Sequence, residues 1–150
     1  MQDHSVTIVL VDDDEGHIEL VRRNLQRTGI TNPTVALTNG SQALDYIFCR
    51  GPYEGRKGDG ELLVLLDINM PGVDGVEVLR RIKSNEKTRK IPVIMLTTTD
   101  DPREINRCYE LGCNVYVTKP VDPSAFIEAV RRLGLFISVV RMPTDPSRLA

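Results

Sequence analysis

The sequence predicts a doubly wound α/β domain built on a parallel sheet, and three observations predict it. Five short β-branched or aliphatic runs alternate with segments of helical period. The runs 62–66 and 93–96 carry no polar residue on either face, as strands buried on both sides by crossover helices require. The chain has 150 residues, enough for one core and too few for two full domains.

The elements follow in order. Ser5–Val11 is a β-branched run, and Ile18, Val21 and Leu25 then recur at helical spacing, so a strand passes into a helix near Asp12–Asp14. Thr34–Leu37 reads as a short strand and Ser41–Phe48 as a helix. Leu62–Leu66 is a buried strand and Val76–Ile82 a helix with Leu79 inside. Val93–Leu96 is a strand, and Pro102–Leu111 a helix with Asp100 or Asp101 as cap and proline in its first turn. Val115–Val117 is the fifth strand, and a last helix runs from about Ser124 to Val140.

Apolar residues make up 41% and charged residues 27%, a balance that argues against disorder. Nineteen Lys and Arg against twenty-one Asp and Glu give a formal charge of -2, so no global field favours nucleic acid or an anionic membrane. No apolar run approaches the roughly 20 residues of a membrane span. The amino end lacks the basic start and apolar centre of a secretory signal, and a cytoplasmic location is expected. Cys49, Cys108 and Cys113 show no CxxC spacing and read as small core or near-surface residues. His4 and His17 have no partner at metal-ligand spacing and read as solvated or capping residues.

In such a sheet the site lies beyond the carboxyl ends of the strands, where the strand order reverses. Asp12, Asp13 and Asp14 follow the first strand, Asp67 the third, Thr97 the fourth and Lys119 the fifth. Singly, each has an ordinary role as a helix cap, a strand closer or a solvated charge. Together, the topology converges them on one region. Clustered carboxylates repel one another unless a cation joins them, and an all-oxygen set suits Mg²⁺. Lys119 and Thr97 suit the equatorial oxygens of a phosphoryl group in transfer.

Four segments then carry a resemblance: Ile8-Val-Leu-Val-Asp-Asp-Asp14, Leu65-Leu-Asp-Ile-Asn-Met-Pro-Gly-Val-Asp-Gly75, Pro92-Val-Ile-Met-Leu-Thr97 and Val117-Thr-Lys-Pro120. In order and spacing they resemble the receiver domain of two-component response regulators. The resemblance implies a flavodoxin-like sheet of strand order 2-1-3-4-5. It implies Asp67 as phosphoryl acceptor, Asp12 and Asp13 as the acidic pair of a Mg²⁺ site with Asp67, and Asn69 lending its backbone carbonyl to the metal. It further implies Thr97 as the switch hydroxyl, Tyr116 as the aromatic that reorients with it, and Lys119 as the lysine that pairs with the acceptor. Asp14 is left as a helix cap.

A narrower resemblance comes from the insertion Arg50-Gly-Pro-Tyr-Glu-Gly-Arg-Lys-Gly-Asp-Gly60 with Asn114-Val-Tyr-Val-Thr-Lys-Pro and Arg132-Leu-Gly-Leu-Phe. It is similar to the stand-alone receivers that serve phytochrome-type kinases. The expected organisation is a receiver over 1–141 and a tail over 142–150 with no output domain. The expected function is a phosphorylation switch served by a sensor histidine kinase and passing its signal to a downstream protein, not an enzyme. A haloacid-dehalogenase-like phosphatase would also use an Asp nucleophile with Mg²⁺, but wants an acid two residues on, where Asn69 stands. A phosphorylation-independent module would predict a damaged acidic site, and flavin binding would want more aromatics. Phe126, Val130, Leu133 and Ile137 should cover the sheet, which leaves Leu135, Phe136, Val139 and Val140 on other faces and predicts a homodimer through the last helix.

Overall fold

β-branched and leucine-rich segments of four or five residues form the strands, and capping side chains set where each helix begins. The computed structural model describes residues 6–27, 29–56, 61–119, 124 and 128. In chain order it contains β1 (Thr7–Val11), α1 (Glu15–Arg27), β2 (Thr34–Leu37), α2 (Gly40–Ile47), a 3-10 turn (Gly51–Tyr53), β3 (Leu62–Leu66), α3 (Gly75–Lys83), β4 (Val93–Thr97), α4 (Pro102–Leu111) and β5 (Val115–Thr118). The five strands are parallel in the order β2-β1-β3-β4-β5. The expected fold class and strand order are both observed.

Alternate residues of the strands feed two cores. Ile8, Leu10, Leu63, Leu65, Ile94 and Leu96 face α1, whose Ile18, Val21 and Leu25 close that layer. Val9, Val11, Val64, Leu66, Val93 and Met95 face the opposite way, against residues of α2, α3 and α4. Leu79 and Ile82 of α3 are fully buried there, and truncating either to Ala costs about 2–5 kcal/mol. β3 and β4 are buried along their whole length, whereas the edge strands β2 and β5 are only half-buried.

The boundaries move where local chemistry is stronger than the apolar period. α2 starts one residue before the expected Ser41 because the Asn39 side chain accepts from the Gln42 N–H at 2.8 Å. α3 gains Gly75 and Lys83, with Asp74 accepting from the Glu77 N–H at 2.9 Å. Asp101, not Asp100, caps α4, and Gly112 ends it in the left-handed region at φ 110°. Thr97 and Thr118 pair across β4 and β5, so each strand runs one residue past its last apolar side chain.

The first half of the 50–60 insertion is largely exposed but anchored at its half-buried Tyr53 and Arg56: the Arg56 guanidinium lies 4.3 Å from the Tyr46 ring centroid and donates to the Tyr46 carbonyl at 2.9 Å. Cys108 and Cys113 are core residues and Cys49 is half-buried, with all three thiols free. Ser124 and Glu128 are helical; the rest of the expected last helix, its dimer-forming residues and the 142–150 tail lie outside the described residues. No helix among the described residues is long and apolar enough to cross a membrane.

Candidate functional site

Strand order reverses at β1, which lies between β2 and β3. A crevice therefore opens beyond the carboxyl ends of β1 and β3, and the residues that follow them are neighbours. The Asp67 N–H donates to the Val11 carbonyl at 3.0 Å, which holds Asp67 beside Asp12. Both aspartates are buried, at 5% and 6% exposure, while Asp13 is exposed. One carboxylate oxygen from each of Asp12, Asp13 and Asp67 lies within 4.8 Å of the others.

Lys119 reaches the cluster from the end of β5, where its own N–H donates to the Thr97 carbonyl at 2.8 Å. Its Nζ donates to Asp12 Oδ2 at 2.8 Å and stands 3.6 Å from Asp67 Oδ2. Thr97 is fully buried at the end of β4. Five of the six residues expected from the strand ends, Asp12, Asp13, Asp67, Thr97 and Lys119, are thus gathered in one place, and the sixth, Asp14, serves as the cap of α1.

Burial pushes the Asp67 carboxyl above the usual carboxylate range. The Lys119 ammonium opposes this and the neighbouring Asp12 charge reinforces it, while hydrogen bonds from Thr97 and the Ile68 backbone pull it down. Charge is therefore concentrated here at a cost that one lysine does not cancel. Three hard oxygen donors within reach of a common point fit a divalent ion of the Mg²⁺ and Mn²⁺ kind, with solvent completing its coordination.

Asn69 and Tyr116 stand one step further out. The exposed Asn69 amide donates to Thr99 Oγ1 at 3.4 Å. The half-buried Tyr116 hydroxyl donates to the Thr99 carbonyl at 2.6 Å, and burial pushes its pKa up to about 12. The Thr99 N–H in turn reaches Thr97 Oγ1 at 3.4 Å. Thr99 therefore links the Asp67 side of the crevice to β5, a role that the sequence did not announce.

His17 is a second omission. Asp14 caps α1 as expected, its Oδ1 accepting from the His17 N–H at 3.1 Å. That contact sets His17 in the first turn, and helical side chains lean back toward the amino end. The ring consequently points at the strand end, with Nδ1 2.9 Å from Asp12 Oδ2. The expectation of a solvated or capping His17 is corrected: its side chain is only 16% exposed and bound to the acidic cluster. A five-residue separation from Asp12 across the cap was the available signal.

Residues 8–131 match the family model of the response regulator receiver domain. The response regulator Rcp1 of Synechocystis is 33% identical over 137 residues, spanning 91% of this chain and 92% of its own length. Its Mn²⁺-bound structure has a TM-score of 0.73 at 31% identity, covering 93% of this chain and 99% of that one. The bacteriophytochrome response regulator AtBRR has a TM-score of 0.80 at 39% identity, covering 88% of this chain and 94% of that one. The phosphorylated cyanobacterial phytochrome response regulator RcpA has a TM-score of 0.75 at 30% identity, covering 93% and 99%. Four separate motifs, the strand order, the gathered carboxylates and these matches have one explanation: the chain belongs to the response regulator receiver family and is related to the phytochrome response regulators within it.

Proposed function

We propose that this receiver accepts a phosphoryl group on Asp67 from the phosphohistidine of a sensor histidine kinase, in a Mg²⁺-dependent reaction. The observation that carries the proposal is the setting of Asp67: buried at the switch point, within 4.8 Å of two further carboxylates and 3.6 Å from a lysine ammonium. A carboxylate oxygen of Asp67 attacks phosphorus as the N–P bond of the phosphohistidine breaks. The product is an acyl phosphate, and the released imidazole takes its proton from solvent.

Asp12, Asp13 and Asp67, with the Asn69 backbone carbonyl, would hold the Mg²⁺, which supplies the positive charge that lets phosphoryl oxygens approach three carboxylates. Lys119 turns from Asp12 toward the phosphoryl oxygens, and the Thr97 hydroxyl donates to another. A group of charge about -1.5 to -2 added here changes a surface through these contacts. Asn69 has no acidic proton to transfer to a leaving group, so the residue set favours a switch over a turnover phosphatase. The names of AtBRR and RcpA as phytochrome response regulators support a phytochrome-type kinase as the donor, and membership of the receiver family supports a cytoplasmic setting.

Incubation with Mg²⁺ and acetyl phosphate, followed by intact mass measurement, tests the reading. One added phosphoryl group is expected, lost in Asp67→Asn and in excess chelator. Undiminished modification of either would overturn it. The homodimer is carried by the sequence alone, through Leu135, Phe136, Val139 and Val140. Light scattering at micromolar concentration should give twice the chain mass, and a monomer unchanged by charged residues at Phe136 and Val140 would rule the pairing out.

A further inference from the structure

We propose that His17 is a positioning residue of the metal site: it holds the Asp12 carboxylate in place once Lys119 has turned to a phosphoryl group on Asp67. The inference rests on the phosphoryl-acceptor reading of Asp67. It concerns a residue that lies outside the motifs carrying that reading.

Among the described residues, three donors hold the Asp12 carboxylate. Its Oδ1 accepts from the Asp14 N–H at 2.9 Å, and its Oδ2 takes both Lys119 Nζ at 2.8 Å and His17 Nδ1 at 2.9 Å. An ionised carboxylate can only accept, so the His17 nitrogen facing it carries hydrogen. Neutral and cationic rings both satisfy this. The contact is sheltered, with side-chain exposures of 16% and 8%.

The three donors differ in what they are free to do. The Asp14 N–H belongs to the backbone and fixes one oxygen only. Lys119 is shared, standing 3.6 Å from Asp67 Oδ2, and a phosphoryl group on Asp67 offers it a more highly charged partner. When it turns there, His17 is the one side-chain donor left to Oδ2 of Asp12 among the described residues. The ring is anchored for this task, since its own backbone N–H is tied to the Asp14 cap at 3.1 Å and its helix packs on the sheet through the adjacent Ile18. It also lines, with Asp12 and Asp67, a cavity of about 10 Å³ beneath the carboxylates, room for about one water. Loss of the ring would free the carboxylate and wet the space behind it.

Groups that orient ligating carboxylates typically govern 10–100-fold in metal affinity. The test measures Mn²⁺ affinity of the full chain by electron paramagnetic resonance, with and without beryllofluoride, which stands in for the phosphoryl group on Asp67. His17→Ala should weaken Mn²⁺ binding roughly 10-fold or more with beryllofluoride present and less without it. His17→Asn, whose amide nitrogen can occupy the place of Nδ1, should recover most of the loss. Equal affinity of His17→Ala and the unaltered chain, or equal losses in the Ala and Asn variants, would overturn the proposal.

A measurement on the unaltered chain guards against a variant that fails to fold. Long-range proton–nitrogen correlation should show His17 Nδ1 bearing hydrogen, retained when Mg²⁺ and beryllofluoride are added. An unprotonated Nδ1 in that state would overturn the role of His17 directly. Failure of the unaltered chain to bind Mn²⁺ at all would instead count against the acceptor-site reading, which keeps the two failures apart.

Discussion

Gly75 packs against the backbone carbonyl of Asp67 with no space for a side chain: a Cβ at Gly75 would overlap that oxygen and crowd the Ile68 Cα. The Gly75 N–H donates to the Ile68 carbonyl at 3.0 Å, so the start of α3 is drawn onto the Asp67–Ile68 backbone. Gly75→Ala must push one backbone segment off the other. Overpacking of this kind costs about 1–3 kcal/mol, which for a domain of this size lowers Tm by about 3–9 °C. Phosphorylation by acetyl phosphate should slow as well, because the displaced backbone carries the proposed acceptor. Calorimetry and intact mass check both; an unchanged Tm would mean the approach tolerates a methyl group.

The Asp67 carboxyl, raised mainly by burial, gives a pH signature in the metal-free protein. The folded chain holds this proton more tightly than the unfolded chain does, so the group's cost is absent below the unfolded value of 3.8 and grows as pH rises through the folded value. Asp67→Asn removes an ionisable group but keeps its shape. Its stability relative to the unaltered chain should therefore be greater at pH 7 than at pH 4, in urea unfolding with chelator present. Mg²⁺ should narrow the pH 7 gap by stabilising the unaltered chain. A difference independent of pH would show that the Asp67 charge is not penalised by the fold.

How far the sequence carried these conclusions depends on what each residue's neighbours are. The strands were legible because β3 and the first four residues of β4 are all apolar and have only one environment that suits them. Asp12, Asp67, Thr97 and Lys119 were legible because a parallel sheet fixes where strand ends meet. Thr99 and His17 were not, because their roles arise from side-chain direction beyond a cap or a strand end, which neither period nor spacing encodes. The capping choice between Asp100 and Asp101 was likewise undecided by type, and the geometry of one side chain accepting the Arg103 N–H at 2.9 Å settled it.

The buried thiols supply a third prediction. Burial pushes Cys108 up to about 11 and Cys113 up to about 12, and the thiolate is the reactive form. At pH 8 a disulfide reagent should modify one thiol per folded chain, Cys49, and all three in urea. Folding holds both thiol protons beyond their unfolded value of 9.0, so stability should fall as pH rises from about 9 toward 11–12. Rapid modification of all three thiols at pH 8 would show that the α4–β5 turn opens readily.

The last prediction concerns how the acceptor speaks to the β5 edge. The Thr97 hydroxyl pulls the Asp67 carboxyl down in pKa, Thr97 Oγ1 accepts from the Thr99 N–H at 3.4 Å, and the Thr99 carbonyl accepts from the Tyr116 hydroxyl at 2.6 Å. The middle contact is long, and a phosphoryl oxygen that draws the Thr97 hydroxyl toward itself removes the geometry that supports it. Thr99 is then free to carry its carbonyl away from Tyr116, and the ring can turn into the space the threonine vacates. Such a change needs two arrangements of similar energy, which the protein biases by phosphorylation. Tyr116→Phe removes a hydrogen bond of about 1 kcal/mol and should shift the amide resonances of Thr99 and Tyr116 toward their phosphorylated positions before any phosphoryl group is added. Thr97→Ala should take up the phosphoryl group yet leave those resonances nearly still. Should Thr97→Ala show the full shift around Tyr116, the signal does not travel through Thr97.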